Sequence, residues 1–437
     1  MSACAKTVGI YTLGCKVNQY ESEAIAERFE QEGFSILPPT SACDVYVINT
    51  CTVTAESDRK ARQFIRRAIK QSPETFILVT GCMSQIQPTQ VASILGVDYI
   101  CGNSNKLSVV DAALRLIQTG KKADAPEICV DAPDASGFEP MKITKFDRTR
   151  AYIKIEDGCE SHCTYCTIPK ARGSIRSKPA KEVLDEVRRL TESGCREVVL
   201  TGIETASYGR DLGNYGLADL LEEIDRIPNI GRVRLGSLDP SLIKPSFVER
   251  IAKLKSLTPH FHLSMQSGSD NVLANMKRKY NTRMALLGMS LLRSAIPSVQ
   301  FTTDMIVGFP QETDEDFERT KQFIKEARFL MIHIFPYSKR SGTPAAIMSG
   351  QVPEPIKHER AASLAELQKE IRQDILNRLT GSKKEVLFET FKNGIAYGHT
   401  PDFIEIQCKS NRPLHAETHT VTICGNDGSI CIGHIDE

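Results

Sequence analysis

No run of about 18 apolar residues occurs in this 437-residue chain, so no membrane-spanning helix is expected. The first ten residues, Met1–Ile10, hold one lysine and no apolar core of the kind a secretion signal needs, and a cytoplasmic protein is therefore expected. Neither sign of charge dominates. The 55 Lys and Arg stand against 54 Asp and Glu, a net charge of +1, so any nucleic-acid contact must come from local patches. Glycine (28) and proline (21) stay at ordinary levels beside 41% hydrophobic and 25% charged residues, which argues against collagen-like, low-complexity and disordered chains. What the sequence has in abundance is cysteine. Fourteen in a chain expected to sit in a reducing compartment point to metal ligation or catalysis rather than to a disulfide framework.

The length suggests about three domains. Residues 6–116 alternate short apolar runs (VGIYTLG, DVYVINT, FILVTG) with helical patterns over 21–31 and 56–70, the signature of a parallel α/β sheet, and residues 1–118 are read as one domain. Residues 119–150 show no sustained period and are read as a linker. A second alternation, over 151–375, offers the strands AYIKIE, REVVLTG, RVRLGS, PHFHLSM, FTTDMIVG and LMIHIFPY with helices such as 180–193 between them. Six βα units make an incomplete barrel. A long helix is expected over 355–380, and the short β-like runs of 376–437 suggest a small all-β barrel. In HFHLSMQ, His262, Ser264 and Gln266 share one face, while Phe261, Leu263 and Met265 share the other. The polar face, with Arg232, Arg234, Thr302 and Asp304, is expected to line a lumen.

Two groups of cysteines carry chemistry. GCESHCTYC sets Cys159, Cys163 and Cys166 as C-x3-C-x2-C directly after a strand. Three thiolates leave one iron of a cluster open, whereas a zinc loop would need a fourth ligand such as His162. Cys15, Cys51 and Cys82 each follow an apolar run (IYTLGC, YVINTC, ILVTGC), so three strand ends of one open sheet can bring them together. Their alternative is three buried thiols behaving as small hydrophobes. Cys4, Cys43, Cys101, Cys129, Cys195, Cys408, Cys424 and Cys431 show no comparable arrangement.

The C-x3-C-x2-C spacing resembles the signature of radical S-adenosylmethionine enzymes. Together with YTLGCKVNQYESE, VINTCTVT, LTGIE, HFHLSMQSGSD, DMIVGFPQETDEDF and HIFPYSKRSGTPAA, it resembles their methylthiotransferase family over nearly the whole chain. The resemblance implies two 4Fe-4S clusters, one on Cys15, Cys51 and Cys82 and one on Cys159, Cys163 and Cys166. The open iron of the second would chelate S-adenosylmethionine, with Tyr165, Gly202 and Glu204 as further cofactor-binding candidates. LGCKVNQYES and HIFPYSKRSGTPA are similar to the branch acting on N6-threonylcarbamoyladenosine at position 37 of transfer RNA, with isopentenyladenosine or a ribosomal-protein aspartate as alternative substrates. A non-catalytic iron–sulfur carrier or scaffold is the reading from another class. The resemblance also implies an electron donor and a sulfur source as partners, and no general base is assigned.

Basic clusters that could meet transfer-RNA phosphates are Arg59, Arg62 and Arg66 with Arg67 and Lys70; Lys170 and Arg172 with Arg176 and Lys178; and Lys277 and Arg278 with Lys279 and Arg283. The C-terminal segment resembles the RNA-binding TRAM barrel. Residues 381–437 nevertheless hold 5 basic against 8 acidic residues, a poor balance for attracting RNA. Phe388, Phe391, Tyr397 and Phe403 could stack on bases there or simply pack.

Overall fold

The computed structural model describes residues 6–133, 137–146 and 149–436. Cys4 lies outside them. Six parallel strands, β1 (Thr7–Thr12), β2 (Ser35–Leu37), β3 (Val45–Thr50), β4 (Phe76–Gly81), β5 (Tyr99–Cys101) and β6 (Glu127–Cys129), form the first sheet in the order β2-β1-β3-β4-β5-β6. β3 and β4 are buried on both faces, as parallel strands covered by helices must be. Val45, Val47, Phe76 and Leu78 pack on one side, and Tyr46, Ile48, Ile77 and Val79 on the other. Helix α1 (Lys16–Gln31) follows β1 and begins five residues earlier than its apolar period suggests; α2 (Ala55–Gln71) follows β3 and α3 (Cys82–Ile86) follows β4. The segment 119–150 is more than a linker. Its residues Glu127–Cys129 supply β6, and the backbone N–H groups of Thr144 and Lys145 donate to Glu27 at 2.7 and 2.8 Å.

The second unit has six parallel strand positions in sequence order: β7 (Arg150–Lys154), Glu197–Thr201, Arg232–Leu238 interrupted at Gly236, His260–Gln266, Gln300–Val307 and Met331–Pro336. The third strand changes partner at its interruption: Arg232–Leu235 pairs backward with Glu197–Leu200, and Ser237 and Leu238 pair forward with His262 and Leu263. Phe261, Leu263, Met265, Phe301 and Met305 enter the apolar core, leaving His262, Ser264, Gln266 and Asp304 on the interior face, as their alternation predicts. Edge strands β7 and Met331–Pro336 leave the barrel open at one side. The first domain lies along that opening, with α1 against β7, while Arg340, just past the last strand, donates to Thr52 at 2.6 Å and Asp58 at 2.5 Å.

A closed five-stranded barrel of Lys383–Lys392, Ile395–His399, Glu405–Lys409, Thr418–Asn426 and Cys431–Ile435 completes the chain after the long helix Glu354–Asn377. It docks on the amino-terminal ends of the central strands. Arg150 pairs with Glu389, Arg232 with Glu385 at 2.8 Å, and Phe403 stacks on His260 at 4.4 Å. Phe388 is fully buried, so both it and Phe403 serve packing rather than base stacking.

Buried charge joins the first two units. Glu21 is fully buried and receives Lys106 from its own domain, together with Lys154 at 2.8 Å and Arg172 at 2.5 Å from the next. Asp157 shares Lys154 at 2.7 Å and Arg172 at 3.1 Å. Burial works against the Glu21 carboxylate, but Arg172, Lys106 and Lys154 outweigh it and hold its pKa well below the usual range.

Glu21→Gln would leave three buried cations short of one anion, an imbalance worth about 3 kcal/mol. Its midpoint in urea at pH 7 is expected to fall, with faster proteolytic separation of the first two units. Glu389 gives a pH-dependent counterpart. Burial opposes its ionisation, but His399 and Arg150 prevail and hold it at about 2. A pKa lowered by folding stabilises above the unfolded value of about 4.5 and ceases to do so as pH falls through about 2. Glu389→Gln is therefore expected to cost on the order of 2 kcal/mol at pH 7, with the gap in urea midpoint closing between about pH 4.5 and pH 2.

Candidate active site

The carboxyl ends of β1, β3 and β4 deliver Cys15, Cys51 and Cys82, since ligands gather where parallel strands stop and helices begin. Gly14 makes the approach possible. Its φ is +103°, and an added Cβ would lie 2.7 Å from the Cys51 Cβ and 2.9 Å from its Sγ. Cys51 and Cys82 are buried, whereas Cys15 keeps accessible surface. Burial, then the charges of Cys82 and Cys15, push the Cys51 thiol up to about 12. Cys82 likewise makes Cys15 harder to ionise, and a cationic centre would relieve both.

Cys159, Cys163 and Cys166 lie on the loop between Glu156–Asp157 and the helix Ile168–Arg172. The N–H of Ser161 donates to Cys159 Sγ and that of Ile168 to Cys166 Sγ, both at 3.4 Å, while Arg278 Nη1 lies 3.1 Å from Cys163 Sγ. Donors aimed at sulfur stabilise thiolates and tune a bound cluster. Burial comes first among the causes that push Cys159 and Cys166 up to about 12, so neither thiolate forms readily without a cation beside it.

The spacing of the sulfurs separates a single ion from a cluster. A zinc ion about 2.3 Å from each of three sulfurs holds them within about 4 Å of one another. Among the described residues, neither cysteine set, with or without His162, brings three donor atoms within 4.8 Å of each other; only His262, Asp304 and His333 do so. A cube in which each thiolate takes a different iron needs wider spacing than a single ion, and the absence of a tight donor group in either cysteine set speaks for a cluster over a lone zinc ion. The zinc loop through His162 does not fit, and that side chain is exposed. Charge agrees. Lys106, Lys154 and Arg172 exceed Glu21 and Asp157 by one positive charge, and Arg172 interacts electrostatically with Cys15 and Cys82. An anionic cluster would find a counter-charge there.

Beside the second cysteine set a cavity of about 300 Å³ opens at the carboxyl ends of the barrel strands. Cys159, Cys163, Cys166, Tyr165 and Glu204 line it, with Asp239, Ser264, Gln266, Arg278 and Asp304 from the barrel and Val53 and Thr54 from the first domain. Tyr165 packs edge-on to Phe309 at 6.4 Å. Glu204 accepts from Ser161 Oγ at 3.1 Å and lies 3.3 Å from Cys159 Sγ. A Cβ on Gly202 would sit 2.5 Å from Glu156 Oε2, so this glycine serves close packing behind the wall.

The basic clusters divide. Arg59 and Arg66 are exposed on α2, with Arg62 half-buried between them; Lys170 and Lys277 are exposed as well. Arg172 is not a phosphate contact, because it is fully buried and committed to Glu21, Asp157 and Asn18. Arg176 and Lys178 are buried too, Lys178 against Glu186. Arg278 also turns inward, donating to Asp239 at 2.9 Å as well as facing Cys163. Arg234 pairs with Glu197 at 2.7 Å, and Arg232 with the C-terminal barrel, so both are structural. Asp239, which holds Arg278 in place, carries no sequence signal of its own.

Residues 7–102 match the Uncharacterized protein family UPF0004, and residues 153–324 match the Radical SAM superfamily. The threonylcarbamoyladenosine tRNA methylthiotransferase MtaB of Bacillus subtilis is 39% identical over 416 residues, covering 93% of this chain and 91% of its own. The protein of the same name from Thermotoga maritima is 39% identical over 420 residues, covering 96% and 94%. The radical S-adenosylmethionine methyltransferase TsrM of Kitasatospora setae, solved with cobalamin and a [4Fe-4S] cluster bound, shares the fold at a TM-score of 0.56 and 14% identity, covering 90% of this chain and 81% of its own. With one cysteine triad lining the cavity, a second at the strand ends of the first domain, and such identity along nearly its whole length, the chain belongs to the methylthiotransferase family of radical S-adenosylmethionine enzymes.

Proposed function

We propose that this protein converts N6-threonylcarbamoyladenosine at position 37 of transfer RNA, in the anticodon loop, to its 2-methylthio derivative. The observation that carries the reading is a cavity lined by one three-cysteine set and, from the first domain, by Val53 and Thr54 just after Cys51 of the other set, in a chain 39% identical to two relatives named for that substrate. Cys159, Cys163 and Cys166 would hold the cluster that meets S-adenosylmethionine, and Cys15, Cys51 and Cys82 the cluster that carries sulfur. When bound, these groups supply the one-electron chemistry and the sulfur that an aromatic C2–H requires and that acid–base side chains cannot provide.

The chain's own residues orient and enclose. Arg278, held by Asp239, donates to Cys163 Sγ and fixes one wall of the cavity. Tyr165 and Glu204 form the wall beside the same loop, where they would contact S-adenosylmethionine, with Gly202 packed behind. Val53 and Phe335, 54% and 43% exposed, stand at the rim from opposite domains, two apolar faces between which a flipped-out base can be held. Arg59, Arg62 and Arg66 extend from that rim along α2, and Lys170 and Lys277 flank the barrel side, so phosphates of a bound loop would meet positive charge on both sides. Turnover also requires an electron donor and a source of replacement sulfur. Among the described residues no helix is long and apolar enough to cross a membrane.

Nucleoside mass spectrometry of transfer RNA bearing N6-threonylcarbamoyladenosine, incubated anaerobically with reconstituted protein, S-adenosylmethionine and a reductant, is expected to reveal the 2-methylthio nucleoside. Accumulation of 5′-deoxyadenosine over an unmodified nucleoside would instead overturn the substrate and direct attention to isopentenyladenosine or a ribosomal protein; absence of cleavage would favour a carrier or scaffold. Cys163→Ala is expected to abolish 5′-deoxyadenosine formation, whereas Cys51→Ala retains cleavage but yields no methylthio product. Each variant should bind about half the iron of the unaltered protein. Equal loss of cleavage in both would contradict the division of labour.

A further inference from the structure

Three neighbouring strands of the second unit, His260–Gln266, Gln300–Val307 and Met331–Pro336, run parallel with Thr302 opposite His262 and Asp304 opposite His333. Thr302 and Asp304 are two residues apart and share a face, so His262, Asp304 and His333 project from adjacent strands into one region of the barrel interior. One donor atom from each lies within 4.8 Å of the others. His262 Nε2 is 3.3 Å from Asp304 Oδ2, and the His262 and His333 rings have centroids 6.0 Å apart. The active-site cavity lies directly above. Asp304 lines it, and so do Ser264 and Phe335, each two residues beyond one of the histidines on the same face.

The donor set is held ready and left unspent. His262 Nδ1 lies 2.9 Å from the Thr302 hydroxyl, which also meets His260 Nε2 at 3.0 Å. When Nδ1 gives its proton to Thr302, Nε2 keeps a lone pair on the side of Asp304, the arrangement of a metal-ligating histidine with its outer partner. Two acceptors then face each other, and a cation between them makes that contact attractive. Among the described residues His333 makes no side-chain hydrogen bond or ion pair, and Asp304 forms no ion pair with a lysine or arginine. The Lys16 charge acts on Asp304 only from beyond ion-pair distance.

An ion about 2.1 Å from each donor holds them about 3.5 Å apart. His262 and Asp304 already meet that spacing, and His333, exposed on the edge strand, closes the remaining gap. Two imidazoles and one carboxylate suit a first-row divalent transition metal, whereas magnesium and calcium favour oxygen ligands. We propose that His262, Asp304 and His333 form a site for one divalent transition-metal ion beneath the active-site cavity, separate from both clusters, with its open positions on the side that Asp304 presents to the cavity. The site stands whichever substrate the enzyme takes.

The test uses the full protein under anaerobic conditions, with both clusters loaded and oxidised, and Mn2+ as the probe. Electron paramagnetic resonance of free Mn2+ counts the ions bound, and spin-echo modulation reports nitrogen ligands. One bound ion per chain, coupled to two histidine nitrogens, is expected. Thr302→Val, which removes the hydroxyl that orients His262, should weaken binding about tenfold or more. His333→Gln and Asp304→Asn should weaken it at least as much, and any ion that His333→Gln still binds should couple to one nitrogen. Iron and sulfide content shows that each variant keeps its clusters. Failure of the unaltered protein to bind, bound Mn2+ without nitrogen coupling, or undiminished binding by His333→Gln and Asp304→Asn would each overturn the site.

Discussion

Glu21 and Arg172 meet where the first two units join, and the geometry of the active site depends on their contact. One carboxylate of α1 binds cations from both sides of the boundary, in a setting where an unmatched charge would be costly. This contact fixes α1 against β7 and, with it, the position of Cys15 at the start of that helix. Asn18, one turn into the helix, extends the constraint: its side chain donates to the carbonyls of Leu13 and Thr50 and accepts from Arg172 at 2.6 Å. One network therefore ties the strand ends bearing Cys15 and Cys51 to the helix after Cys166. Two clusters that must exchange chemistry need such a rigid join, because small errors in the position of reacting groups are expensive.

The same network answers an electrostatic problem. On the proposed function, three thiolates around each cluster would concentrate negative charge in a place with little water, and the raised pKa of Cys51, Cys159 and Cys166 reflects what burial alone makes that charge cost. Arg172 acts toward both demands, satisfying Glu21 and Asp157 while its remaining charge acts on Cys15 and Cys82. Arg278 performs the analogous task at Cys163 from the opposite wall. Cation placement therefore follows the clusters more closely than it follows the surface.

This explains which parts of the molecule were legible in the sequence. Local periodicity revealed the parallel sheet, the six barrel strands and the polar face through His262 and Ser264, because burial on both faces or one leaves a pattern within a few residues. The two cysteine sets were legible for a related reason, each thiol marking the end of a strand or a short loop. Arg172 and Arg278 were misread as surface cations. Nothing near Lys170 and Arg172 in sequence distinguishes an exposed basic run from a buried one, since the decisive partner, Glu21, is 151 residues away. The segment 119–150 was misread because a three-residue edge strand has too short a period to detect.

Closure of the lumen is the last consequence of how the units pack. The C-terminal barrel covers the amino-terminal ends of the strands through Glu385, Glu389 and Phe403, and α1 covers the side opening near β7. Val53 and Phe335 both line the cavity and keep exposed surface, at the cysteine end. A reactive carbon radical is quenched by stray donors, so an enzyme that makes one benefits from a chamber shut off on its other sides. On the proposed function, the base entering between Val53 and Phe335 would itself complete the enclosure. The unusual acidity of the C-terminal barrel then has a structural reason: Glu385 and Glu389 are spent on Arg232 and Arg150, sealing the far end of the chamber, and that face of the barrel is not free for RNA.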